Sequence, residues 1–117
     1  MQNLKEISEK IANRKIKLRK SLDSLILQLR DFGANKIYIF GSFVRDEIDV
    51  NSDLDLLVIM PSNKTGKKWT NFIYSNIKRD ISSDIIVFNE KEFKSQMPSN
   101  SFLENIINSG RLVYEKT

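Results

Sequence analysis

Two aspartates, Asp53 and Asp55, flank Leu54 at the start of an apolar run that continues to Met60, and ten residues separate them from a Gly41-Ser42 pair. Side chains of a strand alternate, so residues at i and i+2 share a face, and two anions would stand a few ångströms apart at the strand's mouth. Such carboxylates repel, and one tends to take up a proton unless a cation lies between them. A divalent metal is one way to settle that conflict. Oxygen-only donors select a hard ion, and Mg²⁺ in particular is held by one or two carboxylates together with waters and substrate phosphates. The expected second half of such a site is a nucleoside triphosphate.

Gly41-Ser42 supplies residue types suited to phosphate. A glycine lets the chain turn closely, amides at a following helix start face outward, and the Ser42 hydroxyl and Arg45 can add hydrogen bonds to phosphate oxygens. Taken alone, a D-x-D is most often a solvated strand end and a Gly-Ser most often a turn. Their joint occurrence in the order strand, Gly-Ser, short helix, strand with D-x-D is far more specific.

Composition narrows the chemistry. The 117 residues contain no cysteine and no histidine, which removes thiolate nucleophiles, the usual zinc ligands and the usual neutral-pH base. Catalysis must rest on carboxylates, hydroxyls and cations. The net charge of +4 is compatible with an anionic partner such as nucleotide phosphate, RNA or an acidic protein. Charges interrupt the N-terminal apolar residues too often for a signal-peptide core and no run reaches membrane-span length, so the expectation is a soluble cytoplasmic protein.

The elements that must position these residues follow from periodicity. Leu4, Ile7, Ile11, Leu18, Leu22, Leu25 and Leu29 form the stripe of an amphipathic helix that Gly33 can end. Its first half is strongly basic, with Arg14, Lys15, Lys17, Arg19 and Lys20, and reads as a solvated face rather than a binding surface. Lys36–Phe40 reads as a strand, Ser42 as the cap of a brief helix over Phe43–Asp46, and Asp53–Met60 as a strand covered on both faces. A helix is predicted over Lys68–Ile81, with Trp69 and Phe72 as core and Lys64, Lys67 and Lys68 as solvent-exposed. A third strand over Ser82–Phe88 carries Asp84. A short helix from Asn89, a break at Pro98, a helix ended by Gly110 and an extended or edge segment at Leu112–Tyr114 complete the chain. The expected fold class is α/β (α+β): a small mixed sheet of three or more strands flanked by helices, with a long N-terminal helix. One domain is expected over residues 1–117, comprising the helix of 1–30 and a catalytic core of 36–117.

With Gly41, Ser42, Asp53 and Asp55 in G-S-x10-D-x-D spacing, the sequence resembles the DNA polymerase beta-like nucleotidyltransferases, and especially the minimal nucleotidyltransferases. Ser83-Asp84-Ile-Ile-Val matches the context of that family's third carboxylate, and Ile106 to Tyr114 resembles its usual ending, so the likeness runs from about residue 20 to the C-terminus. One departure is Asp46, where many of these proteins have glycine in a G-S-x-x-x-G turn; it puts the turn's shape in question.

The resemblance implies the nucleotidyltransferase fold and a catalytic and metal-binding set of Asp53, Asp55 and Asp84. It also implies two Mg²⁺ ions, ATP as substrate, and phosphate binding by Gly41, Ser42 and Arg45. Stand-alone members resemble antitoxins that transfer AMP to a tyrosine of a HEPN-type toxin, so a protein adenylyltransferase of a toxin-antitoxin pair is the leading expectation. A non-catalytic antitoxin acting by complex formation, or an enzyme acting on an RNA end or small molecule, is the alternative. The expected partners are the toxin protein and a nucleotide, with nucleic acid less favoured, self-association left open and no membrane.

Overall fold

The computed structural model describes residues 3–117. The N-terminal stripe forms one helix, α1 (Leu4–Phe32), which begins where the Asn3 carboxamide oxygen accepts from the Glu6 N–H at 2.8 Å and ends at Gly33 in the left-handed region. Only its second half enters the apolar core: Leu18, Leu22, Leu25 and Leu29 are buried, while Leu4 is 83% exposed.

Four strands form the sheet: β1 (Lys36–Phe40), β2 (Leu54–Met60), β3 (Ser83–Asn89) and β4 (Arg111–Glu115), in the order β3-β2-β1-β4. β1 runs antiparallel to both β2 and β4, and β2 runs parallel to β3. The short helix α2 (Ser42–Arg45) lies between β1 and β2, and α3 (Gly66–Asn76) makes the crossover that a parallel β2–β3 pair requires. After β3 come α4 (Glu90–Gln96), a 3-10 turn (Met97–Ser99) that holds Pro98, and α5 (Ser101–Ser109). Asn89 and Glu92 form a reciprocal capping box at the start of α4.

The unbroken apolar run of β2 is explained by two covered faces. Leu54, Leu56, Val58 and Met60 pack with the α1 stripe and with Trp69 and Ile73 of α3. The alternate residues Leu57 and Ile59 pack with Leu103 and Ile106 of α5 and with Phe40, Ile86 and Phe88. Each fully buried side chain of this size stabilises the fold by about 1.5–3 kcal/mol relative to its exposed state.

Three sequence expectations shift. The strand expected from Asp53 begins at Leu54, which leaves Asp53 outside the ladder, and the strand expected over Ser82–Phe88 runs one residue later. The helix expected over Lys68–Ile81 spans Gly66–Asn76. Beyond Asn76, contacts with α1 replace the helix. The Gln28 carboxamide accepts from the Lys78 N–H and donates to its C=O, both at 2.7 Å, and the Ser21 hydroxyl donates to Asp80 at 2.7 Å. That hydroxyl, first among several hydrogen bonds, holds the Asp80 carboxyl below its ordinary pKa. Ile81 is buried all the same, delivered to the core by an extended segment.

Candidate active site

The strand register aligns the central residues. Phe40 of β1 pairs with Asp55 of β2, and Asp55 pairs with Asp84 of β3. Side chains of directly opposed residues leave a sheet on the same side, so Asp55 and Asp84 stand together on the face that α5 covers farther along. Asp55 is half-buried, and Asp84, at the edge strand, is exposed.

The chain leaves β1 directly over this pair. Gly41 has φ 80°, and a Cβ built there would overlap the Asp55 Oδ2. Both facts demand glycine, whose freedom at positive φ lets the backbone pass against the carboxylate. Gly41 occupies the cap position of α2 and Ser42 is its first residue, so the hydroxyl expected to cap the helix makes no capping bond. The glycine expected by the G-S-x-x-x-G pattern is replaced functionally by Asp46 itself. It takes the left-handed conformation, φ 55° and ψ 37°, its N–H donates to the Ser42 C=O, and its carboxylate pairs with Lys15 Nζ at 2.9 Å. Aspartate is one of the few residue types that visit this region readily.

Burial, then the charges of Asp84 and Asp53, push the Asp55 carboxyl above its ordinary pKa, and Arg45 partly offsets them. Arg45 itself pairs with Glu47 at 3.0 Å. Asp53 is held from the other side: Arg14 of α1 donates through Nη2 to Asp53 Oδ1 at 3.2 Å and through Nε to the Ser52 C=O at 2.9 Å. Among the described residues, no group of three or more His, Cys, Asp or Glu side chains is gathered closely enough to hold a metal ion. The donor set nevertheless has the chemistry of a hard-cation site: carboxylates only, of which Asp55 is disfavoured as an anion by burial and then by its acidic neighbours.

The basic half of α1 is mostly the solvated face expected of it, with Lys15, Lys17, Arg19 and Lys20 exposed, yet it also makes contacts through a half-buried Arg14 and its neighbours. Arg14 and Lys15 grip the segment between α2 and β2, and Arg19 lies 6.0 Å over the Phe43 ring. A cavity of about 290 Å³ lined by Lys10, Asn13, Arg14, Lys17 and Val50 opens beside them. Lys64 does not turn toward the carboxylates; its ammonium lies over the rings of Trp69 and Phe72, at 4.4 and 4.8 Å. Trp69 is core, as expected, with its indole N–H donating to the Pro61 C=O at 2.8 Å. A second cavity, of about 270 Å³, lies against Phe40, Gly41, Arg45 and α5.

Residues 26–117 match the family model described as polymerase beta, nucleotidyltransferase. The chain belongs to this nucleotidyltransferase family. The match takes in Gly41, Ser42, Asp53, Asp55 and Asp84 and leaves most of α1, including Arg14 and Lys15, outside it. The fold agrees: the crystal structure of a "putative nucleotidyltransferase" from Sulfolobus solfataricus superposes with a TM-score of 0.66, covering 92% of this chain and 88% of that one. At 16% identity, the likeness bears on the fold alone. No curated protein matches the chain. Members of the nucleotidyltransferase family usually use a divalent metal and a nucleoside triphosphate. Among the described residues, no helix is long and apolar enough to cross a membrane.

Proposed function

We propose that the protein is a Mg²⁺-dependent adenylyltransferase that transfers AMP from ATP to a hydroxyl. The observation that carries the reading is the row formed by the Gly41 turn, Asp55 and Asp84, which joins a close-passing backbone to two carboxylates on one sheet face. Asp55 and Asp84, with Asp53 once released from Arg14, are the residues that would hold metal. Bound Mg²⁺ would neutralise these anions and the charge that develops on the triphosphate.

In this reading the Gly41-Ser42 turn and Arg45 orient the triphosphate, whose α-phosphorus faces the carboxylate row. The acceptor oxygen forms a bond to that phosphorus as the bond to the bridging oxygen breaks. The electron pair leaves with pyrophosphate, and the acceptor's proton passes to Asp84, the most solvent-accessible carboxylate of the pair, and on to water. The favoured acceptor is a tyrosine of a HEPN-type toxin, which makes the protein an antitoxin that silences by AMPylation. The resemblance to stand-alone minimal nucleotidyltransferases supports that choice.

A specific observation favours a second reading: Asp53 is already neutralised by Arg14, as it would be in a binding module that acts by complex formation alone. Incubation with ATP labelled at the α-phosphate, Mg²⁺ and the product of the neighbouring gene separates the two. Label on that protein, lost in Asp53→Asn and Asp55→Asn, supports transfer. Full neutralisation by those variants overturns it in favour of binding, and label on RNA redirects it to a nucleic-acid end.

A further inference from the structure

The cavity between the Gly41 turn and α5 has features that phosphate binding leaves unused. It lies on the sheet face of Asp55 and Asp84, and Gly41 and Arg45, two of the residues assigned to the phosphates, form one of its walls. The opposite wall is α5, where Phe102, Asn105 and Ser109, spaced three and four residues apart, line one side of the helix. Leu103 and Ile106 of the same helix are buried in the core, so this wall is anchored to the sheet.

Phe102 is the unusual member. Its side chain is 51% exposed although it is a large apolar residue next to a core, and its ring meets Phe40 edge to face at 6.2 Å and 89°. Phe40 thus holds the Phe102 ring from one side, and about half of the side chain stays open to solvent. Beside it, the Asn105 carboxamide has no hydrogen-bond partner among the described residues, and the Ser109 hydroxyl donates back to the Asn105 C=O at 2.6 Å, leaving its oxygen able to accept. An exposed aromatic ring next to an uncommitted donor-acceptor pair is the chemistry that holds a planar heterocycle.

We propose that this cavity binds the nucleoside end of the donor nucleotide, with the base stacked on Phe102 and its edge met by Asn105. The proposal rests on the nucleotidyltransferase reading, since the occupant is chosen by continuity with the phosphate turn through Gly41 and Arg45. An Asn carboxamide presents an acceptor and donor that match the N6 and N7 positions of adenine, whereas O6 and N7 of guanine both accept, so the site favours adenine over guanine.

The test is calorimetric titration of the full chain, with Mg²⁺, by a non-hydrolysable ATP analogue and separately by inorganic tripolyphosphate. Phe102→Ala weakens the ATP analogue about tenfold or more, the range of a lost base–aromatic stack, and leaves tripolyphosphate unchanged. Phe102→Tyr restores binding, and Asn105→Ala reduces the preference for the ATP over the GTP analogue. Equal affinity of wild type and Phe102→Ala for the ATP analogue overturns the proposal while leaving the phosphate site standing; if transfer to a protein acceptor is lost at the same time, α5 is a docking surface instead. If wild type binds neither ligand, the donor-site reading fails and the cavity assignment with it.

Discussion

Gly41 and Asp55 compete for one volume: the glycine backbone passes so close to the carboxylate that any Cβ would overlap its outer oxygen. Gly41→Ala therefore has to move either the turn or Asp55, and at φ 80° it also strains its own backbone. Because a displacement near 1 Å at a reacting centre costs about a hundredfold in rate, we expect at least that loss of transfer activity. The circular dichroism spectrum should stay close to wild type, since the core strands and α1 are untouched. Steady-state assays of purified Gly41→Ala check this, and near-normal activity would show that the close approach has no catalytic consequence.

Asp55 carries a charge that its surroundings disfavour in the absence of metal. Asp55→Asn removes that anion with little change of shape, so in metal-free buffer at neutral pH the variant should melt above wild type. Added Mg²⁺ binds the folded form and should raise the wild-type midpoint, whereas the variant should respond little. Thermal melts of both proteins with and without Mg²⁺ decide the matter. An equal Mg²⁺ response would remove Asp55 from the metal site.

Arg14 is the cation that Asp53 meets in this structure, across a sequence separation of 39 residues. Removing it in Arg14→Ala leaves Asp53 free for another cation, so the affinity for divalent metal should rise severalfold. Titration with Mn²⁺ followed by electron paramagnetic resonance measures it. Weaker binding in the variant would mean that Arg14 holds the Ser52-Asp53 segment in place for the metal and does not compete with it.

Asp46 occupies the left-handed conformation in which many related sequences use glycine. Asp46→Gly should keep stability near wild type, whereas Asp46→Val should cost about 1–2 kcal/mol, the penalty of forcing a side chain with a branched Cβ into this region. Urea unfolding of the two variants tests this. Equal losses would place the cost in the Lys15 ion pair and not in the backbone.

These relationships differ in how far the amino-acid sequence discloses them. The Gly41, Ser42, Asp53, Asp55 spacing, the strand Lys36–Phe40 and the doubly covered β2 are legible because local pattern and tertiary structure agree there. The end of α3 is not, because Gln28 of α1, which exchanges two hydrogen bonds with the Lys78 backbone, decides it through contacts that no local pattern encodes. The role of α1 lies between the two. Ile11, Arg14 and Leu18 are spaced three and four apart, so Arg14 fills the gap in the apolar stripe, and a charge at a stripe position requires a partner. That signal announces an ion pair, but only the folded arrangement identifies Asp53 as the other half. The Asp55–Asp84 alignment likewise depends on strand register, which hydrophobic pattern narrows to a face without naming the opposing residue.

The central claim is that the carboxylate row transfers a nucleotide. The direct measurement follows the α-phosphate label of ATP, in the presence of Mg²⁺ and the neighbouring gene's product, for wild type, Asp55→Asn and Asp84→Asn. Wild type should leave label bound covalently to a tyrosine of that product with release of one pyrophosphate per label, and either variant should lose both. Undiminished labelling by Asp55→Asn, or neutralisation of the partner with no label and no pyrophosphate, would contradict the claim.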